Sequence, residues 1–326
     1  MEKKTVIVTG GNAGLGYQCA KSIAERDRNY HVVLACRSLS KGEVAAAVLT
    51  EETKNPNIST LRLDLASLSS VRDFCAEFSR AEMPLLHSVV CNAGISAGGV
   101  PGQPRTTDGV ETIFGVNHLG HFLLTNLLLK HMKPGGRVVF VASDLHNPPR
   151  FFPVKVNYGT ARSIAARSGP GMQQYCLSKL CNIYCCYEMS RLLSEQPDRQ
   201  ITVNAFNPGA MADTGFIKPA ENVIVRFAVQ AVGGLMGALI GKQSNSIESG
   251  SALAALVTEA SYGATTGRYF DRGVEVASSA LSYDLGNARD LWETSMELSG
   301  LKQEETIFAS PGTQSGHRRS GCPQAG

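Results

Sequence analysis

Tyr175 and Lys179 stand four residues apart. On a helix that spacing puts both side chains on one face. A nearby ammonium favours the phenolate and so lowers the pKa of a tyrosine. A phenol tuned this way gives or takes a proton near neutral pH. Tyr and Lys at this spacing recur by chance in many chains, so the meaning of the pair rests on what else is brought to it. Asn117 lies inside Phe114–Leu124, a run apolar almost all round, where an amide breaches the pattern of a buried helix. His118 and His121 flank it and are read as satisfied structural histidines. Cys181, Cys185 and Cys186 follow on the helix of Tyr175; with no CxxC pair or histidine partner they read as small core residues, and no metal is called for.

A second constellation opens the chain. Thr5–Val8 is an apolar strand, and it runs into Gly10, Asn12, Gly14, Leu15 and Gly16 before a helical pattern begins. Glycines at 10, 14 and 16 let the backbone approach a pyrophosphate, while a helix N-terminus supplies N–H donors and a partial positive charge. The spacing is GxxxGxG, with the strand before and the helix after that a dinucleotide turn requires. His31–Cys36 is the second strand and ends at Arg37, with Lys41 one turn on. The end of that strand meets the adenosine ribose, where a carboxylate would suit NAD and a guanidinium pairs with a 2′-phosphate, so Arg37 points to NADP(H). Asp64 and Leu65 end the third strand, Ser59–Leu63, at the place of the adenine edge; an Asp there can also cap the next helix. His87–Cys91 is the fourth strand and closes in Asn92, Ala93 and Gly94, beside the first strand where ligands sit in open α/β sheets.

The elements that must position these groups follow one another as strand, helix, strand. Arg137–Ala142, ending at Ser143, is the fifth strand, Ile201–Phe206 the sixth and Gly267–Phe270 a short seventh. The expected fold is an α/β, Rossmann-type doubly wound parallel sheet of about seven strands in a single domain over residues 1–305, with a lid around 212–245 and a disordered tail over 306–326, rich in Pro, Gly, Ser and Arg from Ser310. The loop-rich stretch 94–109 and the insert between Ser143 and Tyr175 are long enough to suggest function. With 326 residues and 43% hydrophobic content, the chain can absorb this length as one large core. A net charge of +3 without a basic run excludes an electrostatic footprint for nucleic acid. Nine cysteines, an odd number without regular spacing, and an N-terminus lacking a signal-peptide core suggest reduced thiols in the cytoplasm.

In order and kind these motifs resemble the short-chain dehydrogenase/reductase family, from about Lys4 to Leu301. Thr9–Gly16 resembles its cofactor turn and Asn92-Ala93-Gly94 its sheet-stabilising motif, while Asn117, Ser143, Tyr175 and Lys179 fall on its catalytic tetrad. Pro208 and Gly209, with Thr214 five residues on, resemble the segment that holds the nicotinamide amide. The resemblance implies that Tyr175 is the acid/base, that Ser143 polarises the substrate oxygen, that Lys179 bonds the nicotinamide ribose, and that Asn117 holds a water linking Lys179 to solvent. It also implies a homo-oligomer through helices flanking the sheet.

Leu63–Leu68, Val116–Phe122 and Ser178–Asn182 look like the branch of retinol dehydrogenases and light-dependent protochlorophyllide reductases. Gly94, Val116 and Ala210 depart from the latter, which usually carry Ala, Thr and Cys there. The long apolar stretch Phe227–Gly241 follows Arg226 and contains Gln230 and four glycines, which make it a poor membrane span. Read as a cover over the substrate, it implies a bulky hydrophobic substrate or peripheral contact with a membrane. The leading expectation is an NADPH-linked oxidoreductase of a hydrophobic carbonyl or alcohol. Light-dependent protochlorophyllide reduction is the alternative, and a non-catalytic NADP(H) sensor on the same fold is a third reading.

Overall fold

The computed structural model describes residues 3–96, 102–167, 171–211 and 243–308. Its centre is an eight-stranded sheet in the order β10-β9-β6-β5-β4-β1-β2-β3. Strands β1 (Lys4–Thr9), β2 (Tyr30–Cys36), β3 (Ile58–Arg62), β4 (Leu85–Cys91), β5 (Met132–Val141), β6 (Thr202–Asn207) and β9 (Tyr269–Asp271) are parallel. Val6, Ile7 and Val8 are each fully buried, Ile7 in the core on one face and Val6 and Val8 in the core on the other. Burial on both faces is why these strands read as continuous apolar runs rather than alternating ones.

An eighth strand, β10 (Val274–Val276), pairs antiparallel to β9 through a turn at Arg272 and Gly273, both with positive φ. Asp271-Arg272-Gly273 is a turn signal that marks this hairpin in the sequence. A separate two-stranded sheet joins β7 (Ala210–Met211) to β8 (Gln243–Ser244).

Helices α1 (Gly14–Arg26) and α8 (Ser246–Thr258) share one face of the sheet with α2 (Leu39–Thr53). On the other face lie α3 (Leu68–Arg80), α5 (Gly120–Leu129) and α7 (Gly171–Ser194). A helical turn α4 (Thr112–Phe114) leads into a π-helical turn, Gly115–Leu119, before α5 begins. The π turn, marked by Gly120 N–H bonding the Gly115 carbonyl, interrupts the run expected to be one regular helix. Every residue of α5 is buried, as the all-round apolar pattern predicts.

The last helix, α9 (Leu285–Ser299), packs on α7 and the short α6 (Ala161–Ala166). Trp292 meets Phe122 edge-on at 4.9 Å between ring centroids. The last helix thus covers part of α5 and of α7. Residues 306–308, expected in the tail, are packed instead. Thr306 donates to Asn126 Oδ1 at 2.9 Å and Phe308 packs on Trp292, so 306–308 belong to the domain. An apolar ring and a matched polar pair anchor these three residues. The expected lid falls mostly outside the described residues. Among the described residues no helix is long and apolar enough to cross a membrane.

Candidate active site

The carboxyl ends of β1 and β4 lie side by side, and the chain turns to opposite faces beyond them. Gly10 and Gly14 have φ of +65° and +55°, which a side chain would resist. A Cβ on Gly16 would lie 2.5 Å from both Asn92 Nδ2 and the Gly10 carbonyl. The residue before α1 is Ala13, with no side-chain cap, and no acidic residue occupies the first turn. The leading N–H groups of α1 are thus left to an external anion. Asn12 is half-buried within this turn and Leu15 is buried beneath it.

The remaining cofactor candidates divide. Arg37 is exposed at the end of β2, with Lys41 exposed in the first turn of α2. Asp64 accepts the Ala66 N–H at 3.0 Å, so its carboxylate shapes the loop, while Ser67 caps α3. The Leu65 side chain lies in the core, leaving its backbone to any ligand. Asn92 Nδ2 donates to the Thr9 carbonyl at 2.8 Å, tying β4 to β1. Gly209 has φ +78° and donates its N–H to Asn207 Oδ1 at 3.2 Å. The Pro208 carbonyl accepts the Ser249 hydroxyl at 2.7 Å. Thr214 and the Phe227–Gly241 stretch lie outside the described residues.

Three of the four tetrad candidates meet around Gly94 and the start of α7, and the fourth reaches them through Tyr175. A Cβ on Gly94 would lie 3.1 Å from Asn117 Oδ1 and 3.7 Å from Lys179 Nζ. The Asn117 amide bonds both backbone groups of Ile95, accepting at 2.8 Å and donating at 3.1 Å, and donates to Ser178 Oγ at 3.0 Å. Those bonds occupy the side chain, and the backbone carbonyl faces His121 Nδ1 at 3.1 Å. Lys179 is 3% exposed, and its ammonium donates to the Val141 carbonyl at 3.0 Å. Burial lowers its pKa to about 8. Ser143 caps the short turn Asp144–His146 by accepting the Leu145 N–H at 3.2 Å, and its hydroxyl lies 3.3 Å from Asp144 Oδ1.

The Tyr175 phenol hydrogen-bonds Ser143. Its pKa is raised, which corrects the expectation that Lys179 lowers it. Burial is the main cause; the Ser143 bond opposes it, and the neighbouring Cys176 and Asp144 add to it. Lys179 Nζ sits 5.6 Å from the phenol ring centroid and is turned to Val141. In the ligand-free chain desolvation sets the direction, and the only opposing cause is the Ser143 bond.

Three polar residues of this corner escaped the sequence reading as site residues. Asn207 Oδ1 accepts the Asp144 N–H at 3.2 Å as well as that of Gly209, joining the Ser143 turn to the Pro208 turn. His146 accepts the Ser279 N–H on Nε2 at 3.0 Å, so Nδ1 carries the proton and donates to the Ser143 carbonyl at 2.6 Å. His121 bridges Asn117 and Thr9. An amide or imidazole inside or ending an apolar run was the local signal at His121 and Asn207; His146 lies in a polar, proline-rich loop without one. His118, by contrast, pairs with Ser295 Oγ at 2.9 Å, a contact to the last helix.

This fold and this corner are those of a nucleotide-linked oxidoreductase of the Rossmann class. The sequence profile of the family described as short chain dehydrogenase matches residues 4–167. The chain belongs to that family. It is 34% identical to the protochlorophyllide reductase of Avena sativa, across 91% of this chain and 99% of that one. It is 35% identical to retinol dehydrogenase 13 of Homo sapiens, across 92% and 85%. An uncharacterized protein from Mycobacterium Paratuberculosis superposes with a TM-score of 0.63 at 27% identity, across 95% of this chain and 96% of the other. Both branches that the short motifs resemble are therefore represented among its relatives.

Proposed function

We propose that this oxidoreductase uses NADP(H) and reduces a hydrophobic carbonyl, with Tyr175 as the proton donor. The observation that carries the reading is the meeting of Tyr175 with Ser143, and of Asn117 with Lys179, beside Gly94 at the mouth of the glycine turn. The turn at Gly10–Gly16 and the open N-terminus of α1 would hold the pyrophosphate, Arg37 and Lys41 the 2′-phosphate, Asp64 and Leu65 the adenine edge, and Asn92–Gly94 the adjoining sugar. Lys179 would bond the nicotinamide ribose, and Pro208 and Gly209, with Thr214, would hold the amide. When bound, the nicotinamide supplies the hydride.

This chain's own residues handle the proton. Ser143 turns its hydroxyl from Asp144 to the substrate oxygen and fixes its position. Tyr175, held protonated at neutral pH by its raised pKa, gives that oxygen a proton. Lys179, with a pKa of about 8, exchanges protons with solvent near neutral pH, and a water on the Asn117 carbonyl would carry them. A hydrophobic substrate is supported by the two relatives named for apolar substrates, retinol and protochlorophyllide. We place the protein in the cytoplasm or at the surface of a membrane, with the segment around 212–245 as a cover.

Light-dependent protochlorophyllide reduction is kept as a second reading because the Avena sativa relative matches over nearly its whole length. Ala210 is exposed at the start of β7 and offers no thiol, so Tyr175 would be the leading proton donor there too. The test is NADPH consumption with an apolar aldehyde such as retinal, in darkness and in light. Dark turnover is expected. Chlorophyllide formed only on illumination, with no dark turnover of any carbonyl, would replace the first reading by the second.

A further inference from the structure

His121 is fully buried at the first turn of α5, directly after the π turn that carries Asn117. Its Nδ1 lies 3.1 Å from the Asn117 carbonyl oxygen and its Nε2 2.9 Å from Thr9 Oγ1. Burial is the main force on its pKa and brings it down to about 4, so the ring is neutral at physiological pH and carries one N–H. A carbonyl only accepts, so that proton is on Nδ1 and points at Asn117. Nε2 must then accept.

Thr9 Oγ1 already accepts the N–H groups of Asn92 and Ala93, each at 2.9 Å. Its own proton has two acceptors in reach, the Val90 carbonyl at 3.2 Å and His121 Nε2 at 2.9 Å. The shorter contact is to the imidazole, which has no other donor to satisfy Nε2. The result is a directed chain: Thr9 hydroxyl to His121 Nε2, and His121 Nδ1–H to the Asn117 carbonyl.

We propose that His121 is a positioning residue that couples the glycine turn to the Asn117 carbonyl, so that NADPH seated on the turn sets the geometry of the proton path to Lys179. This rests on the cofactor and tetrad reading above. Thr9 is the last residue of β1, and Gly10 N–H bonds the Ala35 carbonyl of β2 directly beyond it. A ligand pressing on Gly10, Asn92 or Ala93 therefore moves the Thr9 hydroxyl, and the rigid imidazole passes that movement to Asn117. Asn117 in turn clamps Ile95 and Ser178, the neighbours of Gly94 and Lys179.

The direct test is ¹⁵N NMR of the histidine rings of the native chain with and without NADPH. The expected result is a His121 ring protonated on Nδ1 and bare on Nε2, unchanged between pH 6 and 8, whose ¹⁵N shifts move when NADPH binds. Two variants divide the chain. His121→Asn places an amide N–H where Nδ1 was and reaches no further, so its larger loss should be in NADPH affinity, about tenfold for one hydrogen bond. His121→Gln reaches Thr9 but releases Asn117, so its larger loss should be in turnover at saturating NADPH, again about tenfold. A merely structural histidine would lower the melting temperature in both variants and leave no such crossing. A ring protonated on Nε2, shifts indifferent to NADPH, or equal losses in both variants would overturn the coupling alone. The expected tautomer in a native chain that does not bind NADPH would overturn the cofactor reading and the coupling together.

Discussion

The cofactor turn and the catalytic corner lie at the same edge of the sheet but are built by opposite means. The turn is made of backbone. Gly10 and Gly14 supply positive φ, Gly16 supplies the close approach to Asn92, and the charged partners Arg37 and Lys41 stand in solvent. The corner is made of buried side chains. Lys179, Asn117 and His121 are all nearly or wholly withdrawn from water, and each is held by named partners. The exposed charges of the first region act through water and are tempered by salt. The buried Lys179 and His121 of the second have lowered pKa values, because removing water penalises the charged form. On the proposed function, one region would recognise by shape and solvated charge, the other by desolvated groups that hand on protons.

The largest effect should come from the corner. Tyr175→Phe keeps the ring and removes its proton, so turnover should fall by roughly 10²–10⁴, the usual share of general acid–base catalysis. NADPH affinity measured by fluorescence titration should stay close to native, and a near-native rate would remove the proton-donor role.

Lys179→Met tests whether the corner is held against its own stability. The folded pKa of about 8 lies below the ordinary lysine value. Below pH 8 both states hold the proton and the full burial penalty is present; between about pH 8 and 10.4 the unfolded chain binds more protons, so native stability rises with pH. The variant should melt higher than native without ligand at pH 7, by on the order of 2–3 kcal/mol, and the difference should shrink as pH passes 8. The Val141 carbonyl keeps Asn182 Nδ2 as a donor at 3.1 Å, so no buried acceptor is stranded. A lower melting temperature at pH 7 would mean that the ammonium stabilises the corner even unliganded.

The smallest effect belongs to the turn. Arg37→Asp should reverse the preference for NADPH over NADH, each direction worth about 1–3 kcal/mol for a solvated charge-assisted pair. Raising the salt concentration should narrow the native preference. Equal affinity of the native chain for NADH and NADPH would end the assignment of Arg37.

What could be read from the chain directly was whatever depends on local spacing. Gly10, Gly14 and Gly16 announce a turn because few other residues adopt or fit that backbone. The parallel sheet follows from apolar runs alternating with helical periods, and Tyr175 and Lys179 do share one helix, Gly171–Ser194. Even the elements left unnamed carried local marks: Asn245 caps α8 through the Glu248 N–H, and Asp284 and Gly300 bound α9.

Tertiary structure alone decided which polar groups share the corner and what burial does to them. The i,i+4 spacing of Tyr175 and Lys179 is a local fact, but the sign of the phenol shift depends on burial by the whole fold, with Ser143 and Asp144 of a distant turn beside it. His118 and His121 look alike in sequence, three residues apart. One faces Ser295 of the last helix and the other bridges the cofactor turn to Asn117, because a π turn rotates the rod between them. Distance across the fold, which no local pattern encodes, separates a core histidine from one that touches the site.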